Sequence, residues 1–234
     1  MIKINNLSHT YPDGHIGVKD INVEINDGDI FGFVGPNGSG KSTTIKSIVG
    51  ILPFTSGSIS INGFDIKRNP IEAKKEFAYI PDNPDLYANL TGIQYLNFIA
   101  DIFAVGKERE EIIEKYATIF EIKDDLGKVI KSYSHGMKQK LAIISALVHK
   151  PKILIMDEPF VGLDPKATFI VKDIMKEMAE NGSSIFFSSH VLEVVEKLCN
   201  KVAIIKDGEI KALGNTDEVK GDSSLEQIFM EIAE

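Results

Sequence analysis

Apolar residues form short runs in the outer parts of the chain and follow helical spacing in its middle. The almost purely apolar run 153–156 is typical of a strand buried on both faces of a parallel sheet. Residues 2–7 alternate more loosely and predict a strand at the edge of a sheet. In total, the pattern predicts strands at 2–7, 18–25, 30–34, 56–61, 77–80, 153–156 and 184–188, and a hairpin at 201–206 and 209–213.

Helical spacing dominates the stretch between about residues 83 and 149, where no strand is predicted. Helices are expected there at 91–104, 109–120 and 138–149, and elsewhere at 44–52, 165–180 and 191–198. Alternating strands and helices around this block indicate a mainly parallel sheet covered on both faces. We therefore expect an α/β domain over 1–215 that has an antiparallel β edge and an inserted α-helical lobe at about 83–149. Residues 216–234 are expected to form a short helical tail.

The segment from Gly35 to Thr43 matches G-x-x-x-x-G-K-[ST], between a predicted strand and a predicted helix. This context is the one that a P-loop requires. Glycines let successive backbone N–H groups point at phosphate oxygens, and the dipole of the following helix favours the same anion. Lys41 is expected to reach the β and γ phosphates and Ser42 to bind Mg²⁺. The fold is thus expected to be of the P-loop NTPase type, with a nucleotide held by Gly35, Pro36, Asn37, Gly38, Ser39, Gly40, Lys41, Ser42 and Thr43.

Composition narrows the choice of partners. The chain has 26 basic and 34 acidic residues, a net charge of −8, which argues against nucleic acid as the main partner. Cys199 is the single cysteine, so a disulfide framework is excluded and a reducing cytosol is expected. We also expect no signal peptide and no membrane span, because no run approaches about 18 apolar residues. Any role at a membrane would therefore need a partner.

Two acids follow the buried strand 153–156. The carboxyl end of such a strand opens into the ligand crevice of an α/β sheet, which is where Asp157 and Glu158 are expected to lie. Asp157 would hold Mg²⁺, and Glu158 would polarise the attacking water. A strand that ends in Asp-Glu is common, so this pair alone decides nothing.

Other segments carry a specific resemblance. The segment Tyr133-Ser134-His135-Gly136-Met137-Lys138-Gln139 opens a predicted helix and resembles the Leu-Ser-Gly-Gly-Gln signature of ATP-binding cassette (ABC) ATPases. Gly162-Leu163-Asp164 resembles their D-loop, His190 matches their switch histidine, and Tyr11 suits the aromatic residue that stacks on adenine. In this order the motifs cover about residues 2–215. The chain therefore resembles an ABC transporter ATPase subunit.

The signature segment departs from the family pattern at two positions. His135 stands where glycine is usual, and Met137 stands where glutamine is usual. Ser134 and Gly136 are kept, and these are the residues that the resemblance places against ATP.

A third departure lies in the Q-loop, where Asp82 occupies the place of the usual glutamine. The surrounding Pro81-Asp82-Asn83-Pro84 is similar to the corresponding segment of bacterial ABC-2-type exporter ATPases. Two interpretations of Asp82 stay open. Its carboxylate is a metal ligand when the site closes, or it only shapes a turn.

The resemblance implies an ATPase that uses ATP and Mg²⁺, with Lys41, Glu158 and His190 in catalysis. Ser42, Asp157 and Asp82 would be the metal-binding residues. Two ATPase subunits, identical or different, would pair head to tail, so that Ser134 and Gly136 contact the nucleotide of the partner subunit. A transmembrane permease on a separate chain would use the resulting motion, with export favoured by the subfamily. The ATPase would then be cytoplasmic and peripheral on the inner face of the cell membrane, with no nucleic acid as partner.

Other functions remain alternatives. A soluble ABC ATPase could act on a non-transport partner such as the ribosome or DNA, although such forms usually carry two cassettes or long coiled coils. Another P-loop class, such as a nucleotide kinase, would not need the signature or His190. A non-enzymatic nucleotide-binding module would not need Glu158. Co-purification with a polytopic membrane protein would separate the transporter from these alternatives.

Overall fold

The computed structural model describes residues 1–233, which contain ten strands and nine α-helices. The strands are β1 (Ile2–Thr10), β2 (Ile16–Ile25), β3 (Ile30–Val34), β4 (Ser56–Ile61), β5 (Phe64–Asp65), β6 (Phe77–Ile80), β7 (Ile153–Met156), β8 (Ser184–Ser189), β9 (Lys201–Lys206) and β10 (Glu209–Asn215). The helices are α1 (Lys41–Ile48), α2 (Pro70–Lys75), α3 (Gly92–Ile102), α4 (Arg109–Ile119), α5 (His135–Leu147), α6 (Pro165–Glu180), α7 (Leu192–Leu198), α8 (Thr216–Lys220) and α9 (Leu225–Ala233).

A six-stranded sheet forms the core, in the order β10-β9-β3-β8-β7-β6. Five of its strands run parallel, and β10 pairs antiparallel with β9. The mainly parallel α/β fold expected from the sequence is therefore confirmed. Strand β3 shows why its run is apolar throughout: Phe31 and Phe33 face one hydrophobic cluster, whereas Ile30 and Val34 face the other.

A second sheet is antiparallel and has the order β2-β1-β4-β5. The prediction of an edge position for β1 is wrong, because Ile2 pairs with Ile25 on one side and with Ile61 on the other. The alternation of Ile2, Ile4 and Leu7 correctly identifies the buried face, but alternation does not tell how many neighbours a strand has.

Helices α3, α4 and α5 lie between β6 and β7 along the chain. A capping box formed by Thr91 and Gln94 begins α3. Helix α5 begins at His135 rather than at 138, because the Ser134 hydroxyl caps it by accepting from Met137 N at 3.3 Å. No helix within 1–233 is both long and apolar enough to cross a membrane.

The P-loop helix α1 also differs from its prediction at 44–52. It begins at Lys41, directly after the loop glycine, and ends at Ile48. Gly50 then adopts φ +70°, and the backbone N–H groups of Ile51 and Leu52 both return to the carbonyl of Lys46. The apolar Ile51 and Leu52 therefore continue the helical spacing without continuing the helix.

The C-terminal part forms two helices where one short helix was expected. Helix α8 follows β10 directly, and α9 packs against α7 and β9. Leu225 is fully buried, and its backbone N–H donates to Glu196 Oε2 of α7 at 2.9 Å. Glu234, the last residue of the expected tail, lies outside the described residues.

Candidate active site

The P-loop connects β3 to α1, and its lysine is folded back onto the loop. Lys41 Nζ donates to the backbone oxygens of Gly35 at 2.6 Å and of Pro36 at 3.1 Å. Burial lowers the pKa of Lys41, and the carboxylates of Glu158 and Asp157 act in the opposite direction. The ammonium is thus a buried cation next to two acids, held by carbonyls that a phosphate could replace.

Two loop positions require glycine for different reasons. Gly40 has φ +108°, and a Cβ there would lie 2.7 Å from the backbone oxygen of Gly17. At Gly35, a Cβ would lie 2.4 Å from the backbone oxygen of Ile205. The inner side of the loop is therefore packed tightly against two other segments of the same chain, at Gly17 and Ile205. Ser39 Oγ is buried there and has no hydrogen-bond partner among the described residues.

A polar pocket of about 430 Å³ opens in front of the loop. Most of the residues expected at a nucleotide line it, namely Tyr11, Asn37, Gly38, Gly40, Lys41, Ser42, Thr43, Asp82, Asp157 and Glu158. Gly35, Pro36 and Ser39 belong to the same loop but do not line the pocket. The structure thus brings together residues from the start of the chain, the P-loop, the segment after β6 and the segment after β7.

Tyr11 closes one end of the pocket. Its hydroxyl lies 2.9 Å from Thr43 Oγ1, and its ring is stacked with that of His15 at a centroid distance of 6.0 Å. His9 contacts the Tyr11 ring edge-on at 4.5 Å. Sequence reasoning missed two residues that line this end, His15 and Gly17. The turn signal at 11–14 could have located His15, since Tyr11 N donates to the backbone oxygen of His15 across that turn.

The two acids after β7 are held by one buried serine. Ser188 Oγ on β8 donates to Asp157 Oδ1 at 2.5 Å and accepts from the backbone N–H of Glu158 at 3.0 Å. Glu158 has φ +48°, a conformation that is costly for a residue other than glycine. Ser188 was also missed, because nothing in the sequence distinguishes a serine that bonds to a site residue from any other serine in an apolar strand.

His190 lies beside the second acid. Its Nδ1 is 2.8 Å from Glu158 Oε2, and its backbone N–H is 3.4 Å from the same oxygen. The side chain of Glu158 is 18% exposed, whereas that of His190 is 59% exposed. The carboxylate is thus oriented from the rim of the pocket by a histidine that water can still reach.

The oxygen ligands available for a cation are few. Ser42 is exposed, and Asp157 and Asp82 line the same pocket. Within residues 1–233, no group of three or more His, Cys, Asp or Glu side chains is arranged to hold a metal ion. A Mg²⁺ ion, which needs six oxygen ligands, would therefore have to share the site with phosphate oxygens and water.

Asp82 is exposed and makes a local contact. Its Oδ1 accepts from the backbone N–H of the next residue, Asn83, at 2.8 Å, whereas the usual turn contact of an Asp is to the residue two positions on. Because Asp82 also lines the pocket with Asp157, both interpretations of this residue stay open.

Ser134 and Gly136 do not line the pocket of their own chain. The start of α5 packs against the loop after Glu158 instead. A Cβ at Gly162 would lie 2.3 Å from His135 Cδ2, and Lys140 Nζ is 2.8 Å from Asp164 Oδ2. The hydroxyl of Ser134 remains on an exposed residue at the helix N-terminus.

Comparison with known proteins gives the family. The sequence model of the ABC transporter family matches residues 18–161. The uncharacterized ABC transporter ATP-binding protein YdbJ of Bacillus subtilis (strain 168) is 41% identical, over 86% of this chain and 66% of that protein. The linearmycin resistance ATP-binding protein LnrL of the same organism is 35% identical, over 94% of this chain and 70% of that protein. The chain thus spans about two thirds of the length of these relatives.

A solved structure described as the ATP-binding subunit of an ABC transporter has the same fold. It superposes with a TM-score of 0.96 at 32% identity, over 100% of both chains. The P-loop, the acid pair and the rim histidine described above lie on that fold in one pocket or beside it. The chain therefore belongs to the ABC transporter family, as an ATP-binding protein that hydrolyses ATP.

Proposed function

We propose that the chain is the ATPase subunit of an exporter whose membrane-spanning part is a separate polypeptide. The observation that carries this proposal is the pair formed by Glu158 and His190 at the rim of the P-loop pocket. A module that only bound nucleotide would not need an oriented carboxylate there. The similarity to an ATP-binding subunit and to ATP-binding proteins of transporters supports a division of labour between chains.

The arrangement suits hydrolysis of a phosphoanhydride. Lys41 and the loop N–H groups would position the phosphates, and Ser42 with Asp157 would hold Mg²⁺, which neutralises charge on the phosphate oxygens. Glu158 would take a proton from the attacking water. His190, hydrogen-bonded to Glu158, would fix the direction of that carboxylate. Asp82 is proposed as a further metal-binding residue that acts only when the site is closed.

We propose that a second ATPase subunit completes the site. Ser134 and Gly136 would then contact the nucleotide of that subunit, where the N-terminus of α5 favours an anion. Support comes from their position, outside their own pocket and accessible at the start of the helix. The contact of His135 with Gly162 would link this helix end to the loop after Glu158.

The membrane partner is proposed to dock on the helical side of the sheet. An apolar groove of about 320 Å³ lies between α3, α5 and β6, and is lined by residues that include Tyr79, Tyr95 and Phe103. The loop after β6 carries Asp82 into the nucleotide pocket and continues to a second apolar cavity, lined by residues that include Leu90 and the exposed Phe98. We include this second cavity in the proposed docking surface. One loop thus contacts both the nucleotide pocket and the proposed docking surface.

Export is proposed from the name of a relative, and location follows from the membrane partner. The name of LnrL describes resistance to linearmycin, and a resistance role is usual for an exporter. With a permease as partner, the subunit would lie in the cytoplasm on the inner face of the cell membrane.

Isolation of the tagged chain from detergent-solubilised membranes tests the proposal. We expect a polytopic membrane protein to co-purify with the wild type and with Phe169→Glu, an exposed phenylalanine on α6. Phe98→Glu should lose that protein while it still binds ATP, because Phe98 lies on the proposed docking surface. Recovery of ribosomes in place of a membrane protein, with Phe98→Glu unaffected, would contradict the proposal.

A further inference from the structure

A surface with an excess of positive charge lies beside the apolar groove. Residues 46–75 contain five basic and two acidic residues, a net charge of +3, in a chain whose net charge is −8. We call the five side chains the basic patch: Lys46, Lys67, Arg68, Lys74 and Lys75. None of them forms an ion pair with another side chain in the part of the chain that the structure describes.

The two acids of this stretch do not neutralise the patch. Asp65 Oδ1 accepts from the backbone N–H groups of Lys67 and Arg68, at 2.8 and 2.9 Å, so it shapes the turn before α2. Glu72 is the acidic residue of α2, and it is exposed without an ion pair. The surface therefore keeps an excess of exposed cations.

Contacts join the two segments that carry the basic patch. A Cβ at Gly50 would lie 3.2 Å from Ile66 Cγ1 and 3.6 Å from Lys74 Cε. Lys67 Nζ donates to the backbone oxygen of Phe54 at 3.3 Å and lies over its ring. The turn after α1 therefore packs directly on the segment that leads into α2.

Exposed isoleucines accompany the cations. Ile51 is 61% exposed and Ile71 is 66% exposed. Ile71 precedes Lys74 and Lys75 by three and four positions on α2, so the three side chains share one face of the helix. Ile51 and Lys74 both reach the apolar groove. Aliphatic side chains ringed by lysines are typical of surfaces that lie on a membrane.

We propose that the basic patch, with Ile51 and Ile71, binds the anionic headgroup surface of a lipid bilayer. The cations would lie over the headgroups, and the two isoleucines would enter the boundary between headgroups and acyl chains. This contact is made by the ATPase chain itself and needs no protein partner, although Ile51 and Lys74 also line the groove proposed for docking. It would orient the groove beside the patch towards the membrane in which that partner lies.

Sedimentation of the purified chain with lipid vesicles tests the proposal, with no other protein and no nucleotide present. We expect binding to phosphatidylcholine vesicles that contain about one third phosphatidylglycerol, and little binding to pure phosphatidylcholine. Binding should be lost at about 0.5 M NaCl, where the Debye length falls to roughly 4 Å. No binding to the anionic vesicles, or equal binding to both kinds, would overturn the proposal.

Variants assign the binding to the patch. Lys74→Glu with Lys75→Glu should weaken binding by about tenfold or more, since each cation near an anionic surface contributes appreciably. Lys107→Glu with Lys176→Glu changes the net charge equally at two exposed lysines elsewhere and should bind as the wild type does. An equal loss in both pairs would show that only net charge matters and would overturn the proposal.

The isoleucines have a test of their own, which does not change the charge. Ile51→Ser with Ile71→Ser should bind more weakly at low salt, and thermal unfolding would show that each variant is folded. If Lys74→Glu with Lys75→Glu proved unfolded, the isoleucine variant and Arg68→Gln with Lys75→Gln would still show whether the basic patch binds the vesicles. Normal binding by the folded isoleucine variant would contradict insertion. Failure of the whole proposal would leave the transporter function untouched, because no partner takes part in the experiment.

Discussion

The nucleotide pocket and the N-terminus of α5 are built in opposite ways. The pocket is formed at strand ends, and Lys41, Asp157 and Ser188 are buried there. Lys41 donates to the backbone oxygen of Gly35, and Ser188 donates to Asp157. The helix end is exposed, and the Ser134 hydroxyl makes the capping contact of an ordinary helix. Both regions are suited to an anion, yet only one has the groups for chemistry.

This difference indicates a division of the site. The pocket contains the lysine and the acids, and His190 contacts Glu158 from beside it, so the groups proposed for binding and chemistry all belong to one chain. The helix end would add a serine hydroxyl and backbone N–H groups, but its residues Ser134 and Gly136 do not line that pocket. If the two surfaces are halves of one site, changes in the pocket and changes at the helix end should separate binding from hydrolysis.

The largest effect is expected for Glu158→Gln. The amide cannot accept a proton from water, whereas the phosphate-binding loop is unchanged, so turnover should fall by roughly 100- to 10,000-fold. ATP affinity should stay near that of the wild type. Phosphate release and a binding titration measure the two quantities, with Glu180→Gln at the exposed end of α6 as the control. Turnover within a few-fold of wild type would exclude Glu158 as the base.

Ser134→Arg should separate the two regions most clearly. We expect hydrolysis to fall by about 100-fold because the composite site cannot close correctly. ATP binding by the single chain should be nearly unchanged, in contrast to Lys41→Ala, which removes the buried cation and should lose binding. Ser132→Arg, two residues earlier and exposed, should be active. A loss of ATP affinity in Ser134→Arg would contradict the division of the site.

Ser188→Ala should have a smaller effect and would show how the pocket is held. The change removes the donor to Asp157 and the acceptor of Glu158 N–H, so kcat should fall by about tenfold. Unfolding free energy should fall by about 1–3 kcal/mol. Ser184→Ala, also buried on β8 but at its other end, should lose stability without losing turnover. Equal kcat values for Ser188→Ala and Ser184→Ala would show that Ser188 has only a structural role.

The smallest effect is expected at Asp82. If its carboxylate reaches the metal, Asp82→Asn should raise the Mg²⁺ concentration for half-maximal activity by about two- to fivefold, as for a partly exposed charge pair. Asp82→Gln should stay active, and Asp85→Asn, which changes an exposed residue outside the pocket, should have no effect. An unchanged Mg²⁺ profile with a lowered melting temperature would show that Asp82 only forms a turn.

Sequence reasoning succeeded where the role of a residue follows from its immediate neighbours in the sequence. The P-loop, the apolar strand 153–156 and its two acids are each contiguous, so their strand–loop geometry could be predicted from a few positions. The parallel sheet followed from the alternation of strands and helices. The helix limits at Lys41 and His135 were missed because glycine and serine ends, rather than apolar spacing, set them.

What failed depends on contacts between distant segments. The inner position of β1 requires knowledge of its pairing with both β2 and β4. Ser188 acquires its role only because β8 lies next to β7, which places its hydroxyl at Asp157. The two-helix ending likewise depends on burial of Leu225 against the rest of the domain. None of these is encoded in a spacing that a single segment shows.

The mass of the Glu158→Gln chain in solution with ATP tests the divided site most directly. Slowed hydrolysis should trap the closed pair, so light scattering after size exclusion should give twice the mass of one chain with ATP and a single-chain mass without it. Glu158→Gln combined with Ser134→Arg should bind ATP yet remain a single chain. A single-chain mass for Glu158→Gln with ATP bound, or a dimer that survives Ser134→Arg, would contradict the account.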